Sequence, residues 1–126
     1  MAVRISEAES QVMAVVWAGE GAGAEEILSA VADANGWTES TVRTLIHRLI
    51  RKQALRSERR GGRTVYTSLI AREDWVLQES QGLLDRLFGG QVAGLVAHFT
   101  ATRALSPEDV ARLRRLVADL DASEED

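Results

Sequence analysis

A chain of 126 residues with 45% apolar side chains and a net charge of −4 is long enough for one domain, or two small ones, around a buried core. It holds no run near the ~18 uninterrupted apolar residues of a membrane helix, and its first residues lack a signal peptide's apolar stretch, so a cytoplasmic protein without membrane insertion is expected. Cysteine is absent, which excludes disulfides, thiolate metal ligands and a cysteine nucleophile.

The first helix is predicted to start after Ser6. Ser6-Glu7-Ala8-Glu9 has the form of a capping box, in which the Ser6 hydroxyl accepts from the Glu9 N–H and the Glu9 carboxylate accepts from the Ser6 N–H. Ile5 is placed to staple onto an apolar residue of this helix. Val12, Met13, Val16 and Trp17 recur at helical spacing, and Gly19, Gly21 and Gly23 end the segment. A second helix is expected from Ala24 to Ala34, with Ile27, Leu28 and Val31 as its apolar stripe and Asn35-Gly36 as its stop. Thr38 is an N-cap for the next helix. Trp17 and Trp37 read as core residues.

The third helix, predicted over Glu39–Gln53, carries the most information. Val42, Leu45, Ile46, Leu49 and Ile50 fall at i, i+3, i+4, i+7 and i+8 and make one apolar stripe. The opposite side carries Ser40, Thr44, His47 and Arg51, flanked by Arg43 and Arg48. Beyond Glu39 at its start, no acid lies on this side. A merely solvated face usually mixes both signs of charge. Cations and short hydroxyls are instead the groups that reach phosphates and base edges. Ser40 and Thr41 sit at the helix start, where the backbone N–H groups favour a phosphate; capping is their alternative role. Arg51 and Lys52 read as backbone contacts or as surface charge.

Leu55–Arg60 and Thr64–Leu69 suit two strands, joined through Gly61-Gly62-Arg63 in a tight hairpin. Arg59, Arg60 and Arg63 gather at its tip, with Tyr66 packed beneath the wing or, as the alternative, contacting a phosphate. The remainder reads as three helices. Arg72–Phe88 carries Trp75, Val76, Leu83, Leu84, Leu87 and Phe88. Gly89-Gly90 breaks it, and Gln91–Thr100 follows with Val92, Leu95, Val96 and Phe99. Ser106-Pro107 is an N-cap followed by proline at the first helical position. The last helix then presents Val110, Leu113, Leu116, Val117 and Leu120, before an acidic tail from Asp121 that is expected to fray.

Charge is unevenly placed along this order. Residues 1–38 carry one arginine against six acids, residues 39–72 nine cations against two, and residues 73–126 five arginines against eleven. One basic block lies between two acidic ones, and the local field rather than the net charge steers a polyanion.

Three helices and a hairpin in this order are those of a winged helix, in which the third helix enters the major groove and the hairpin braces the backbone. We therefore expect a mainly α chain with a small β-hairpin wing. Residues 1–70 form a winged helix-turn-helix DNA-binding domain, and residues 71–126 a helical dimerisation domain. The second part is too short for a large core of its own. Leu83, Leu84, Leu87, Phe88, Leu95, Val96, Phe99, Leu113, Leu116 and Leu120 are its candidate dimer residues. A two-fold homodimer is the simplest closed solution, and it supplies two reading heads for a palindromic operator. No cofactor is implied. His47 and His98 lack a second ligand one turn away, so no metal site is implied either.

The residues also carry a resemblance. Ile5-Ser6-Glu7-Ala8-Glu9 with Val12-Met13 and Trp17, Gly36-Trp37 with Ser40-Thr41-Val42-Arg43-Thr44-Leu45-Ile46 and Arg48-Leu49, the hairpin ending in Tyr66, and Leu84-Asp85-Arg86-Leu87-Phe88-Gly89-Gly90 follow one another in the right order. Together they resemble the BlaI/MecI penicillinase-repressor family along nearly the whole chain. The resemblance implies a homodimeric repressor of genes for β-lactamase, penicillin-binding protein or other stress functions. It also implies a membrane-bound sensor protease that triggers cleavage in the dimerisation domain, between Asn and Phe. The corresponding bond here is His98–Phe99, with His in place of the Asn. The cysteine clusters of copper-responsive relatives are absent.

Two other classes compete with a DNA-binding repressor. A winged helix used for protein–protein contact has no need of a cation-rich third helix. An enzyme needs acids paired with a nucleophile, a phosphate loop or a metal cluster, and the sequence offers none of these pairings.

Overall fold

The computed structural model describes residues 3–102 and 105–124. In chain order these form α1 (Glu7–Ala18), α2 (Ala24–Asn35), α3 (Glu39–Arg51), β1 (Leu55–Arg60), β2 (Arg63–Ser68), α4 (Arg72–Phe88), α5 (Val92–Thr102) and α6 (Pro107–Glu124). The chain divides into two compact units between Gln78 and Glu79, within α4.

Local chemistry sets the ends of the first three helices. The capping box at α1 is complete: the Glu9 N–H donates to Ser6 Oγ at 3.1 Å, and the Ser6 N–H donates to Glu9 Oε1 at 2.9 Å. At α3 the Thr41 N–H donates to Thr38 Oγ1 at 3.2 Å. Gly36 takes a left-handed φ of 66° after α2, which lets the Trp37 N–H reach Ala32 O at 2.9 Å. The helix includes Asn35, one residue beyond the expected end, and the Asn35 side chain donates to Gln11 Oε1 and Val31 O.

Helix α3 stops at Arg51, earlier than expected. Gln53 adopts φ 65°, and the Gln53 and Ala54 N–H groups donate to Ile50 O at 3.0 Å and Leu49 O at 2.9 Å. This is a Schellman closure, with Gln53 where glycine usually stands. Ala54 is fully buried behind it, so the reversal that starts the hairpin is sealed by an apolar contact.

The hairpin turns through Gly61 and Gly62, both at positive φ, so Arg60 pairs directly with Arg63. That two-residue turn places β2 one residue earlier than expected at each end. A bridge extends the hairpin on the other edge: the Ala22 N–H donates to Tyr66 O at 3.0 Å, and the Tyr66 N–H donates to Ala22 O at 2.8 Å. Gly21 is required there. A Cβ would lie 2.9 Å from Val65 Cγ1.

One core joins these parts. Met13, Ile27, Ile46, Leu49 and Leu55 are its largest fully buried side chains, each worth about 1.5–3 kcal/mol of burial. Trp17, Trp37, Tyr66 and Trp75 pack against it, partly buried. The Trp17 Nε1–H donates to Ser68 Oγ at 3.0 Å and Ile70 O at 3.1 Å, pinning the foot of the wing.

The second unit is built differently. Neither α4 nor α5 contains a buried residue. In α6, Leu113, Leu116, Val117 and Leu120 are all exposed. Helix α5 begins at Val92 and runs to Thr102, past the expected end, with the Thr100 and Thr102 hydroxyls donating to Ala97 O and His98 O. The Asp109 N–H donates to Ser106 Oγ at 3.1 Å, the expected cap. The tail expected to fray from Asp121 is helical to Glu124; Glu125 and Asp126 lie outside the described residues.

One ion pair ties the first unit together at its base. Glu9 is only 2% exposed, and Lys52 Nζ donates to its Oε1 at 2.6 Å and to Arg4 O at 3.0 Å. Burial pushes the Glu9 carboxyl up. The bonds from Lys52 and Ser6, with the Lys52 charge, outweigh it and hold the group below the ordinary carboxylate range. Lys52→Met leaves this carboxylate buried without its cation. A loss of about 1–3 kcal/mol is expected at neutral pH, read by urea unfolding. A depressed folded-state pKa gives stability that is present above the unfolded value of about 4.3 and lost as pH falls through the folded one. The variant lacks that contribution, so the gap between the two proteins should close in acid. A gap independent of pH from 7 to 3 would show that the pair contributes nothing.

Candidate nucleic-acid interface

Burying one stripe of α3 fixes what the other side presents. Val42, Leu45, Ile46 and Leu49 are buried, and Ser40, Thr41, Arg43, Thr44, His47, Arg48 and Arg51 are all exposed. The first turn is partly engaged with itself. The Thr38 and Thr41 hydroxyls lie 3.1 Å apart, and the Thr44 hydroxyl donates to Ser40 O at 2.9 Å.

The cations divide into paired and unpaired groups. Arg43 Nε and Nη2 donate to Glu39 Oε1 at 3.1 and 2.9 Å. Both side chains are more than half exposed, and an i,i+4 pair of this kind is worth about 0.3–0.5 kcal/mol, little enough for a phosphate to displace it. Lys52 is different, because its ammonium is committed to buried Glu9 and to Arg4 O. The sequence places it with Arg51 as a backbone contact or as surface charge; in the fold its ammonium has an internal partner. Arg48 and Arg51 form no ion pair among the described residues.

Strand alternation separates the arginines of the wing. Arg56, Glu58 and Arg60 share one face of β1, and Arg59 lies on the other with Leu55 and Ser57. Arg60 Nε donates to Glu58 Oε1 at 2.5 Å and its Nη1 to Glu20 O at 2.8 Å. Arg63 Nη2 is 3.6 Å from Glu26 Oε1. Among the described residues Arg59 meets no carboxylate. Its guanidinium donates to Thr64 Oγ1 at 3.3 Å and Gly62 O at 3.0 Å, folded over the turn with its charge uncompensated. The three arginines expected to act as one tip cluster are therefore not equivalent.

Two acids escaped notice at the sequence level. Glu9 was read only as half of a capping box, and nothing in the spacing announced Lys52 as its partner, 43 positions away. Glu58 accepts from Arg56 Nη2 at 2.9 Å as well as from Arg60, and these bonds hold its carboxyl below the ordinary range. That arrangement was legible: Arg56, Glu58 and Arg60 stand two apart in a predicted strand, and so on one side.

Residues of the second unit can be placed too. Leu83, Leu87, Phe99, Leu113, Leu116 and Leu120 are exposed, while Leu84, Phe88, Leu95 and Val96 are half-buried. His98 and Phe99 are both exposed within α5, and their rings meet edge to face at 5.6 Å. Among the described residues no group of three metal-ligating side chains exists, and no helix is long and apolar enough to cross a membrane.

Known proteins share this arrangement. The penicillinase repressor of Bacillus licheniformis is 29% identical over 116 residues, covering 92% of this chain and 91% of that one. The methicillin resistance regulatory protein MecI of Mammaliicoccus sciuri is 28% identical over 113 residues, 90% of this chain and 92% of that one. The solution structure of the Bacillus licheniformis BlaI monomeric form, in complex with the blaP half-operator, aligns with a TM-score of 0.52 at 34% identity; it covers 56% of this chain and 87% of that one. The profile described as penicillinase repressor matches residues 5–119, a span that takes in both units, and the chain belongs to that family.

Proposed function

We propose that this protein is a DNA-binding transcriptional repressor that reads a palindromic operator as a homodimer. The observation that carries the reading is the exposed side of α3, with Arg48 and Arg51 unpaired above a fully buried stripe. In this account α3 lies in the major groove. Ser40, Thr41 and the N–H groups of the first turn face a phosphate, and Thr44, His47 and Arg48 face base edges. Arg51, and Arg59 from the wing, supply phosphate contacts, and Arg43 joins them by exchanging Glu39 for a phosphate. Lys52 stays with buried Glu9 and Arg60 with Glu58, whereas Arg63, 3.6 Å from Glu26 with both side chains more than half exposed, exchanges its partner for a phosphate as Arg43 does. The BlaI half-operator complex and the repressor relatives support this reading over a protein–protein module or an enzyme. Occupancy excludes polymerase, so binding alone represses.

The second unit supplies the dimer in this reading; the DNA-binding part, expected over residues 1–70, extends to residue 78, with Trp75 at the start of α4 packed against its core, and the dimerisation part, expected over 71–126, begins after it. Its exposed leucines are covered when a second copy packs against them. Relief of repression through a membrane-bound sensor protease is the finer part of the proposal. The bond in question, His98–Phe99, lies inside helix α5, so that turn has to unwind before a protease can cut it. The cell compartment in this reading is the cytoplasm.

In this reading four arginines per subunit reach phosphates, Arg43, Arg51, Arg59 and Arg63, which makes eight per dimer. The expected log–log slope of affinity against salt is about −7, measured by fluorescence anisotropy on a labelled duplex. A flat response removes the electrostatic basis of the proposal. Arg48→Ala should weaken operator binding by about 1–3 kcal/mol and relax preference at one base pair if it reads a guanine. Equal loss on operator and random duplex reassigns it to the phosphates.

Leu87, 64% exposed in the single chain, tests the dimer. Leu87→Asp places an unpaired charge in the proposed interface, so light scattering should report a monomer while the winged helix keeps its melting transition. An intact dimer moves the interface away from α4.

A further inference from the structure

The wing, residues 55–68, holds four arginines and one acid, Glu58. That acid divides its two oxygens between two cations of its own strand: Oε2 accepts from Arg56 Nη2 at 2.9 Å, and Oε1 accepts from Arg60 Nε at 2.5 Å. All three side chains lie on one face of β1, because strand residues two apart point the same way. The two arginines remain about half exposed, and Glu58 is a quarter exposed, so the pairings sit where a nucleic acid phosphate has access. The cross-strand partner of Glu58 is Val65, which offers the carboxylate no other donor.

We propose that Glu58 is a specificity-determining residue, a built-in counter-anion that withholds Arg56 and Arg60 from phosphates and so limits sequence-independent binding to DNA. Phosphate contacts carry no sequence information, and a repressor's competitors are the many non-operator sites of a genome. Each added phosphate contact strengthens all of those sites at once. A wing with all four arginines free would hold the dimer on any duplex. Glu58 leaves Arg59 as the unpaired cation of the hairpin, and discrimination then falls to α3. The geometry suits that task better than a simple loss of arginines would. Arg60 also donates to Glu20 O at 2.8 Å, so the paired guanidinium keeps a structural use at the wing's edge while its charge is cancelled.

This inference rests on the DNA-binding reading, and one experiment separates the two. The full-length protein and its Glu58→Gln variant are titrated against a random-sequence 30-base-pair duplex across a salt series. Freeing up to four arginines per dimer should raise affinity about tenfold or more at low salt and steepen the log–log slope by about 2 to 4. Glu108→Gln, on α6 in the other unit, makes the same change in net charge and should leave the slope unchanged. Arg56→Ala should alter random-duplex affinity less than twofold in the native chain, and should abolish part of the gain in the Glu58→Gln background. The proposal is overturned if Glu58→Gln behaves like the native chain or like Glu108→Gln. It is equally overturned if Arg56→Ala alone weakens binding tenfold, since Arg56 would then already be on the phosphates. Failure of the native protein to bind any duplex at low salt would instead refute the DNA-binding reading itself.

Discussion

The winged helix depends on the burial of one stripe of α3. Val42, Leu45, Ile46 and Leu49 enter the core shared by α1, α2 and the foot of the hairpin. Helical geometry then leaves no freedom about the opposite side, where seven residues from Ser40 to Arg51 face outward. Reading groups on a rigid helix need little ordering when they bind, which is the advantage of building the site on the most firmly anchored element. The Schellman closure at Gln53–Ala54 and the buried Glu9–Lys52 pair fix the end of that element. The chain therefore leaves α3 toward the wing along one defined path.

The second constraint is that charge is edited by pairing. The sequence holds nine cations between residues 39 and 72. Five of them face a carboxylate within 4 Å: Arg43, Lys52, Arg56, Arg60 and Arg63. Those five pairs differ in kind. Glu39 lies in solvent and releases its partner easily, whereas Glu9 is buried and does not. A count of basic residues overstates the field that a polyanion meets, and the correction depends on which acids the fold brings near.

That correction marks the boundary of what the sequence disclosed. The capping box at Ser6, the stripe of α3 and the Gly61-Gly62 turn rest on spacings of two to four residues, and the structure places them where those spacings put them. The end of α3 moved by two residues, since Gln53 closes it in a conformation usually left to glycine. The Glu9–Lys52 and Arg63–Glu26 pairings join positions far apart in the chain, and no local period encodes them. Arg56, Glu58 and Arg60 lie between these cases. Their shared face follows from alternation, but which arginine Glu58 satisfies depends on rotamers that only the folded wing selects.

The same reasoning bears on why two units share one chain. Among the described residues the exposed large hydrophobic side chains lie after the wing, from Leu69 to Leu120. A segment of this size, without a single buried side chain in α4 or α5, buries too little apolar surface to offset its ordering entropy alone. Under the proposed dimer, folding of the second unit and association are one event, and stability there rises with protomer concentration. The winged helix owes nothing to that event, because its core closes within one chain. Partner loss then costs the repressor its second reading head without unfolding the first. The remaining head keeps only half of the phosphate contacts, and since each contact multiplies affinity, a monomer falls much further than twofold below the dimer. Control of assembly, by whatever signal, is thus sufficient control of occupancy.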